Sequence, residues 1–401
     1  MKKLLISLSA VLLAVSLIAC SDPSSSSDSD SDSESKSTAT EETSGSSTGS
    51  STPGTGAGNA TDSANGNSET TVTTYQFHST VTYLAEGTDG TSGTEATYCT
   101  FGDWPQTIKA ESVTVDETKS VTMGSMTYYL GSDSNYYAKC TENAYYTYLS
   151  SDTYSNGDTV AQADANSEKY FKVEPITWRV LNPSASGDKI LVAESILTAN
   201  VQYYGSSDNR TLNEATVYAN NYKYSNIRAY LNGTKNQFVT DGGTGTEFDV
   251  DWTNKGFLQT AFTTSAQALI ATTTVDNSED STTDAGNNLT KASKYACDNT
   301  EDKIFLLSEK EATTTDYGFT AWNQYGTGNS RIRVATDYAK ANYAFQNTTA
   351  GWGGYWWLRS PSRDYSYYAR NVGSDGYAGI SNSVLLNYFG VVPALCLSSL
   401  E

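Results

Sequence analysis

Trp356-Trp357-Leu358-Arg359-Ser360-Pro361 and Gly390-Val391-Val392-Pro393-Ala394-Leu395-Cys396-Leu397 bracket a tract unlike the rest of the chain. The enclosed segment, Ser362 to Phe389 (SRDYSYYARNVGSDGYAGISNSVLLNYF), is crowded with Tyr, Ser, Asn, Asp and Gly. Those residue types make adaptable contact surfaces in antibody loops, because Tyr supplies rigid apolar area and its small polar neighbours supply hydrogen bonds. The frame reads as structural and the filling as a contact face. The filling also lacks Trp, Met, Gln, Lys and Glu, all of which occur elsewhere in the chain. These are the amino acids that stay out of reach when the first two bases of an Asn codon ending in a pyrimidine are randomised.

A WWLRSP block, a Tyr- and Asn-rich tract carrying Ala369-Arg370-Asn371-Val372 and Asp375-Gly376, and a closing GVxPAL block together resemble the variable proteins of diversity-generating retroelements. In that family, adenine-directed mutagenesis rewrites chosen Asn codons. The chain is most similar to the spirochaete lipoprotein members, which have a C-type lectin-type fold of the formylglycine-generating-enzyme variety. Four earlier segments recur in the same order in such domains: Phe101 to Gln106, Ile176 to Leu181, Asp302 to Ser308 and Ala335 to Ala339. The resemblance covers residues 95 to 397 and departs at Val392, where many relatives carry Arg.

Matching the spacing between the two blocks carries the family's variable positions onto Ser362, Arg363, Asp364, Tyr365, Ser366, Tyr367, Tyr368, Gly373, Ser374, Asp375, Tyr377, Ser381, Asn382, Ser383, Leu385, Leu386, Asn387, Tyr388 and Phe389. Ala369, Arg370 and Asn371 match the family's invariant interior. Val372, Ile380, Val384 and Val391 to Leu397 read as framework. Trp356 and Trp357 are adjacent, so in a strand one faces the core and the other faces away, toward a ligand face or a second layer.

The N-terminus reads as an export signal. Met1-Lys2-Lys3 precedes the apolar run Leu4 to Ile18, and Leu17-Ile18-Ala19-Cys20 is a lipobox that predicts lipidation of Cys20. The run is too short for an ordinary membrane-spanning helix. Residues 21–72, almost entirely Ser, Thr, Gly, Asp, Glu, Asn and Ala, cannot bury enough apolar area to offset their conformational entropy. They are expected to be a disordered tether with a typical span of roughly 40 Å. Residues 73–401 are expected to form one lectin-like domain, with its variable region at about 352–397.

Elsewhere, Phe171 to Leu181 and Lys189 to Ala193 predict a hairpin across a turn-forming Asn-Pro-Ser cluster. Ser225 to Leu231 and Trp252 to Ile270 predict helices, and Ser308 with Glu311 predicts a capping box after a strand at Lys303 to Leu307. Tyr355 to Arg359, Tyr367 to Val372 and Val384 to Leu397 predict strands, with a tight turn at Ser374-Asp375-Gly376. The expected class is α+β, with small twisted antiparallel sheets, few helices and much irregular loop.

The formal charge of −20 argues against nucleic acid, whose phosphates demand a basic face. His78 is the only histidine and stands at the edge of the tether, so His-based triads are not expected. No two Cys stand at CxxC spacing, and the Glu-Pro-Asn and Trp-Asn-Asp signatures of calcium-dependent lectins are absent. Asp276 to Asp284 lacks the glycine and terminal glutamate of an EF-hand loop. The reactive cysteine pair of the formylglycine-generating relatives has no counterpart, since Cys297 and Cys396 are far apart. Cys99, Cys140, Cys297 and Cys396 are open to three disulfide connectivities or to burial as free thiols. No catalytic residue, cofactor or metal is expected. The sequence points to a monomeric protein, exported and lipid-anchored to the bacterial outer membrane or cell surface, that binds a protein or glycan on another cell. A surface antigen whose variation serves immune evasion, or an exported enzyme acting on glycan or protein, is the alternative.

Overall fold

Glu168–Val180 is the strand about which the largest sheet is organised. Phe171 has Ile108 on one side and Ala138 on the other, and Trp178 has Cys99 on one side and Ala193 on the other. Inward positions run Phe171 and Val173, then Ile176, Trp178 and Val180, so the alternation slips by one residue at Glu174-Pro175. The partner strand Glu95–Ile108 shifts register opposite this point, between Thr100 and Asp103. Gly102 sits in that bulge at φ +71°, and a Cβ there would lie 2.4 Å from the ring of Phe262. Only glycine suits both the backbone and the space. The buried indoles are anchored as their N–H groups require: Trp104 Nε1 donates to Leu197 O at 2.8 Å, and Trp178 Nε1 to Phe101 O at 2.7 Å.

The computed structural model describes residues 76–84, 87–88, 95–144, 152–160, 167–212, 214–236, 250–283 and 291–398. Cys20, the export signal and the tether at residues 21–72 lie outside them. All the described residues belong to one unit, Thr70–Glu401. The architecture is mixed: every named sheet pairing is antiparallel, three of the sheets have two or three strands, and the largest has ten. Among the described residues helices are short, Asn226–Asn232 being the longest at seven residues. No helix among the described residues is long and apolar enough to cross a membrane.

The closing block of the frame is built into the ten-stranded sheet. Ala394–Leu397 lies between Lys189–Ala193 and Ile304–Phe305, and all four of its residues are buried. The opening block, Trp356–Pro361, starts a separate three-stranded sheet with Tyr368–Val372 and Ile380–Ser383. The two blocks meet at Gly390, whose N–H donates to Tyr355 O at 2.7 Å while its carbonyl accepts from Trp357 N at 3.1 Å. A Cβ on Gly390 would come within 2.4 Å of Ile196.

Several elements differ from expectation. Trp252 to Ile270 is two helices, Phe257–Ala261 and Thr264–Leu269, because Phe262 is extended and Thr263 caps the second by accepting from Ala266 N at 3.2 Å. Residues 384–393 are not strand; they follow the scaffold through single contacts such as Val391 N to Thr198 O. Trp356 and Trp357 are both fully buried. Trp356 Nε1 reaches Arg331 O at 3.1 Å, while Trp357 stacks on Phe389 with centroids 4.4 Å apart, so the strand is covered on both faces. The hairpin, the Ser225-capped helix and the Ser308–Glu311 capping box stand where the sequence placed them.

The capping box also fixes the frame. Arg359 is 2% exposed, and its guanidinium meets Glu311 Oε1 at 2.9 Å and the carbonyls of Leu306 and Asp276. Burial pushes the Glu311 carboxyl up, but the Arg359 charge and the capping hydrogen bonds outweigh it and hold the carboxyl below its ordinary range. A carboxylate depressed in the folded state stabilises fully above its unfolded pKa, about 4.3, and loses that contribution as pH falls through the folded value. Glu311→Gln is therefore predicted to cost about 2 kcal/mol at pH 7 by leaving Arg359 underpaired. The gap between variant and parent should shrink progressively below about pH 4 in denaturant melts. A gap constant with pH would remove the charge from the explanation.

Candidate ligand-binding face

The filling enters as a loop, residues 362–367, between the first two strands of the small sheet. Asn220, fully buried, sets its course: Nδ2 donates to Tyr365 O at 3.0 Å and Tyr368 O at 2.9 Å, and its backbone N–H donates to Ser366 O at 2.9 Å. With the backbone held from beneath, the side chains are turned outward. Tyr365 is 50% exposed and Tyr367 37%. Together with half-buried Tyr368 they form a cluster whose centroids are 4.9 to 6.0 Å apart. Aromatic pairs at such separations hold one another in place, so a broad apolar patch is presented with little rotamer entropy left to lose.

Asp364, Tyr365 and Tyr367 are exposed, and Arg363, Ser366, Tyr368, Asp375, Tyr377, Ser381, Asn382, Ser383, Leu385, Leu386, Asn387 and Tyr388 are partly exposed. Ser381 to Ser383 lie on the outer strand of the small sheet, and Asn382 Nδ2 reaches back to Asn371 Oδ1 at 2.9 Å. The stretch from Leu385 to Tyr388 is fastened by its backbone: Gln202, Asn200 and Phe345 donate to the carbonyls of Leu385, Asn387 and Tyr388.

Four expected positions do not reach solvent. Phe389 is 1% exposed, sandwiched between Tyr355 and Trp357, and belongs to the frame. Ser362 and Ser374 are 1% and 3% exposed, and a Cβ on Gly373 would crowd Asp375 Oδ1 at 2.7 Å. These positions shape the face from behind. The expected interior is buried as read: Arg370 pairs with Glu309 at 2.9 Å, both side chains being almost wholly enclosed.

The loop of Trp322-Asn323-Gln324, which departs from the Trp-Asn-Asp signature at its third residue, lies beside the turn at Ser374-Asp375-Gly376. Gly326 N donates to Asp375 O at 2.8 Å, and Tyr325 meets Tyr377 edge to face with centroids 6.1 Å apart. Trp322, Asn323, Tyr325, Asp375 and Tyr377 line an open cleft of about 380 Å³. Arg331 braces both walls. Its guanidinium is fully buried, with Nε donating to Gly376 O at 2.7 Å, Nη1 to Thr320 O, and Nη2 to Ala321 O and Gln324 O. The only sequence signal was an Arg-x-Arg in a run of small and apolar residues, which resembles an ordinary exposed strand.

Chemistry elsewhere is sparse. His78, expected to stand apart at the tether's edge, instead places Nδ1 2.7 Å from Asp103 Oδ1, while the neighbouring Ser79 hydroxyl meets Thr263 Oγ1 at 2.6 Å. The pair fastens the start of the described chain to the large sheet. Cys99, Cys140, Cys297 and Cys396 are free thiols. Burial pushes Cys99 and Cys140 up to about 12, and raises Cys297 and Cys396 as well, which disfavours the nucleophilic thiolate. Among the described residues no group of three or more His, Cys, Asp or Glu side chains is placed to hold a metal ion.

Residues 186–399 match the family described as Domain of unknown function (DUF6273). The chain belongs to this family. The match spans more than half of the 401 residues and takes in both frame blocks, the filling, Asn220 and the Trp322–Tyr325 loop. The strands Glu95–Ile108 and Glu168–Val180 precede the matched region; Glu168–Val180 pairs with its first strand, Lys189–Ala193, and Glu95–Ile108 pairs with Glu168–Val180 in turn. No curated protein and no solved structure matches the chain.

Proposed function

We propose that this DUF6273 member is a lipid-anchored, surface-displayed binding protein whose C-terminal tract is a diversifiable ligand face on a scaffold of C-type lectin type. The tyrosine cluster of Tyr365, Tyr367 and Tyr368 carries the reading: three rings stand together at the surface, on the loop and the first residue of the strand after it, where buried Asn220 holds the backbone. Fifteen of the nineteen expected variable positions reach the surface, whereas Leu358, Val372 and Leu395 are fully buried. Such a division lets Tyr365, Tyr367 and their polar neighbours change without opening a cavity, while Leu385, Leu386 and Tyr388 also pack in part on the core. Tyr beside Ser, Asn and Asp suits recognition of a macromolecule, since a few rigid aromatic anchors usually dominate an interface. The Cys20 lipobox and the polar segment after it support display at the end of a tether.

A combinatorial library over the fifteen surface positions separates folding from binding. Members that keep Leu385, Leu386 and Tyr388, which pack in part on the core, should melt close to the parent, since exchange at the other sites changes stability by about 0.5 kcal/mol or less. Ligand capture, scored against panels of bacterial and host surface proteins and glycans, should vary widely between members. Widespread misfolding would make the tract a packing element and remove the basis for the proposal.

Anchoring is tested by Cys20→Ser, which should shift the protein from the membrane fraction to the soluble fraction with its melting temperature unchanged. Equal membrane retention would overturn the lipid assignment.

A further inference from the structure

The Trp322–Tyr377 cleft has chemistry that the tyrosine cluster lacks. Three aromatic rings and one carboxylate line it, and Tyr325 and Tyr377 stand at 76° to one another, forming two walls of a corner. Tyr325 is 71% exposed, the most exposed large apolar side chain among the described residues. Asp375 accepts from Tyr377 N through Oδ1 at 3.0 Å, and among the described residues Oδ2 takes no hydrogen bond. No Lys or Arg of the described residues stacks on these three rings, although Lys and Arg stack on other rings of the chain.

An aromatic corner with a carboxylate at its edge attracts a cation through the ring quadrupoles and the full charge together. The chain's formal charge of −20 adds a long-range field of the same sign. The Arg331 guanidinium beside the cleft is fully buried and directed at four carbonyl oxygens. That bracing also explains how an exposed loop keeps its aromatic side chains in place: the same guanidinium holds Thr320, Ala321 and Gln324 on one wall and Gly376 on the other.

We infer that this cleft receives an arginine side chain from a protein partner. A guanidinium is planar, stacks on an aromatic face and matches a carboxylate with paired donors, and it is more weakly hydrated than an ammonium. The inference rests on the binding reading above and narrows its ligand from protein or glycan to a protein segment bearing Arg. Of the five lining residues only Asp375 and Tyr377 are among the expected variable positions. The cleft therefore joins a wall outside the diversified tract to one within it.

The test is a saturation-transfer NMR titration of the full chain in non-ionic detergent with Nα-acetylarginine amide, its uncharged isostere Nα-acetylcitrulline amide, and methyl glucoside. The arginine derivative should bind at least about tenfold more tightly than the citrulline one. Tyr325→Ala and Asp375→Asn should each weaken it several-fold, with melting temperatures unchanged because neither side chain is buried. Equal binding of the two amino-acid derivatives, no saturable arginine signal below about 100 mM, or a preference for the glucoside would overturn the inference. Arginine binding that survives when the surface library captures nothing would sink the diversified-face reading alone. Library capture without an arginine preference would sink only the cleft.

Discussion

The two frame blocks depend on one close backbone approach at Gly390. Its N–H and carbonyl bond to Tyr355 and Trp357, while Ile196 occupies the space where a side chain would be. From this junction Val391 runs on to bond Thr198, and Ala394–Leu397 enters the large sheet beside Lys189–Ala193. The small sheet that carries the filling is thereby joined to the core of the protein rather than appended to it. Trp356 and Trp357, buried on opposite faces of their strand, fill the two layers that this junction brings together.

Rigidity in the frame permits variety in the filling. Asn220, Gln202 and Asn200 come from outside the tract and contact its backbone carbonyls or, at Asn387, its amide side chain. Hydrogen bonds made to main chain are indifferent to most side-chain exchanges, so the loop keeps its path while its surface changes chemistry. Arg331 does the same for the neighbouring loop and turn, holding four carbonyls at once. A buried charge so placed is costly unless its donors are satisfied, and these four carbonyl oxygens accept from them.

Legibility in the sequence followed the range of the interactions. Local devices were readable: the Ser308–Glu311 capping box, the Ser225 cap and the hairpin turn after Leu181 are set by residues a few positions apart. The aromatic frame was readable because its apolar blocks stand out against a polar tract. Phe389 was misplaced because a Tyr-Phe pair beside the closing block offers no local sign of which ring turns inward; Trp357 decides that from thirty-two positions upstream. The break at Phe262 was missed since Phe257, Leu258, Ala261 and Phe262 fit one helix by spacing, and only Thr263 as a second cap divides them. His78 with Asp103, the Asn220 clamp and the Arg331 bond to Gly376 O join residues 25 or more positions apart, and the other Arg331 bonds go to main-chain carbonyls of a loop, so none leaves a periodic trace.

The account's central claim is that frame and face are energetically separate, and native-state hydrogen exchange on the triple variant Tyr365→Ser, Tyr367→Ser, Tyr368→Ser tests it most directly. Amides of Trp357, Arg359 and Leu395, all in buried strands, should open with free energies within about 0.5 kcal/mol of the parent. A drop of several kcal/mol at those amides would show that the tyrosines hold the core together, and would contradict the separation of frame from face.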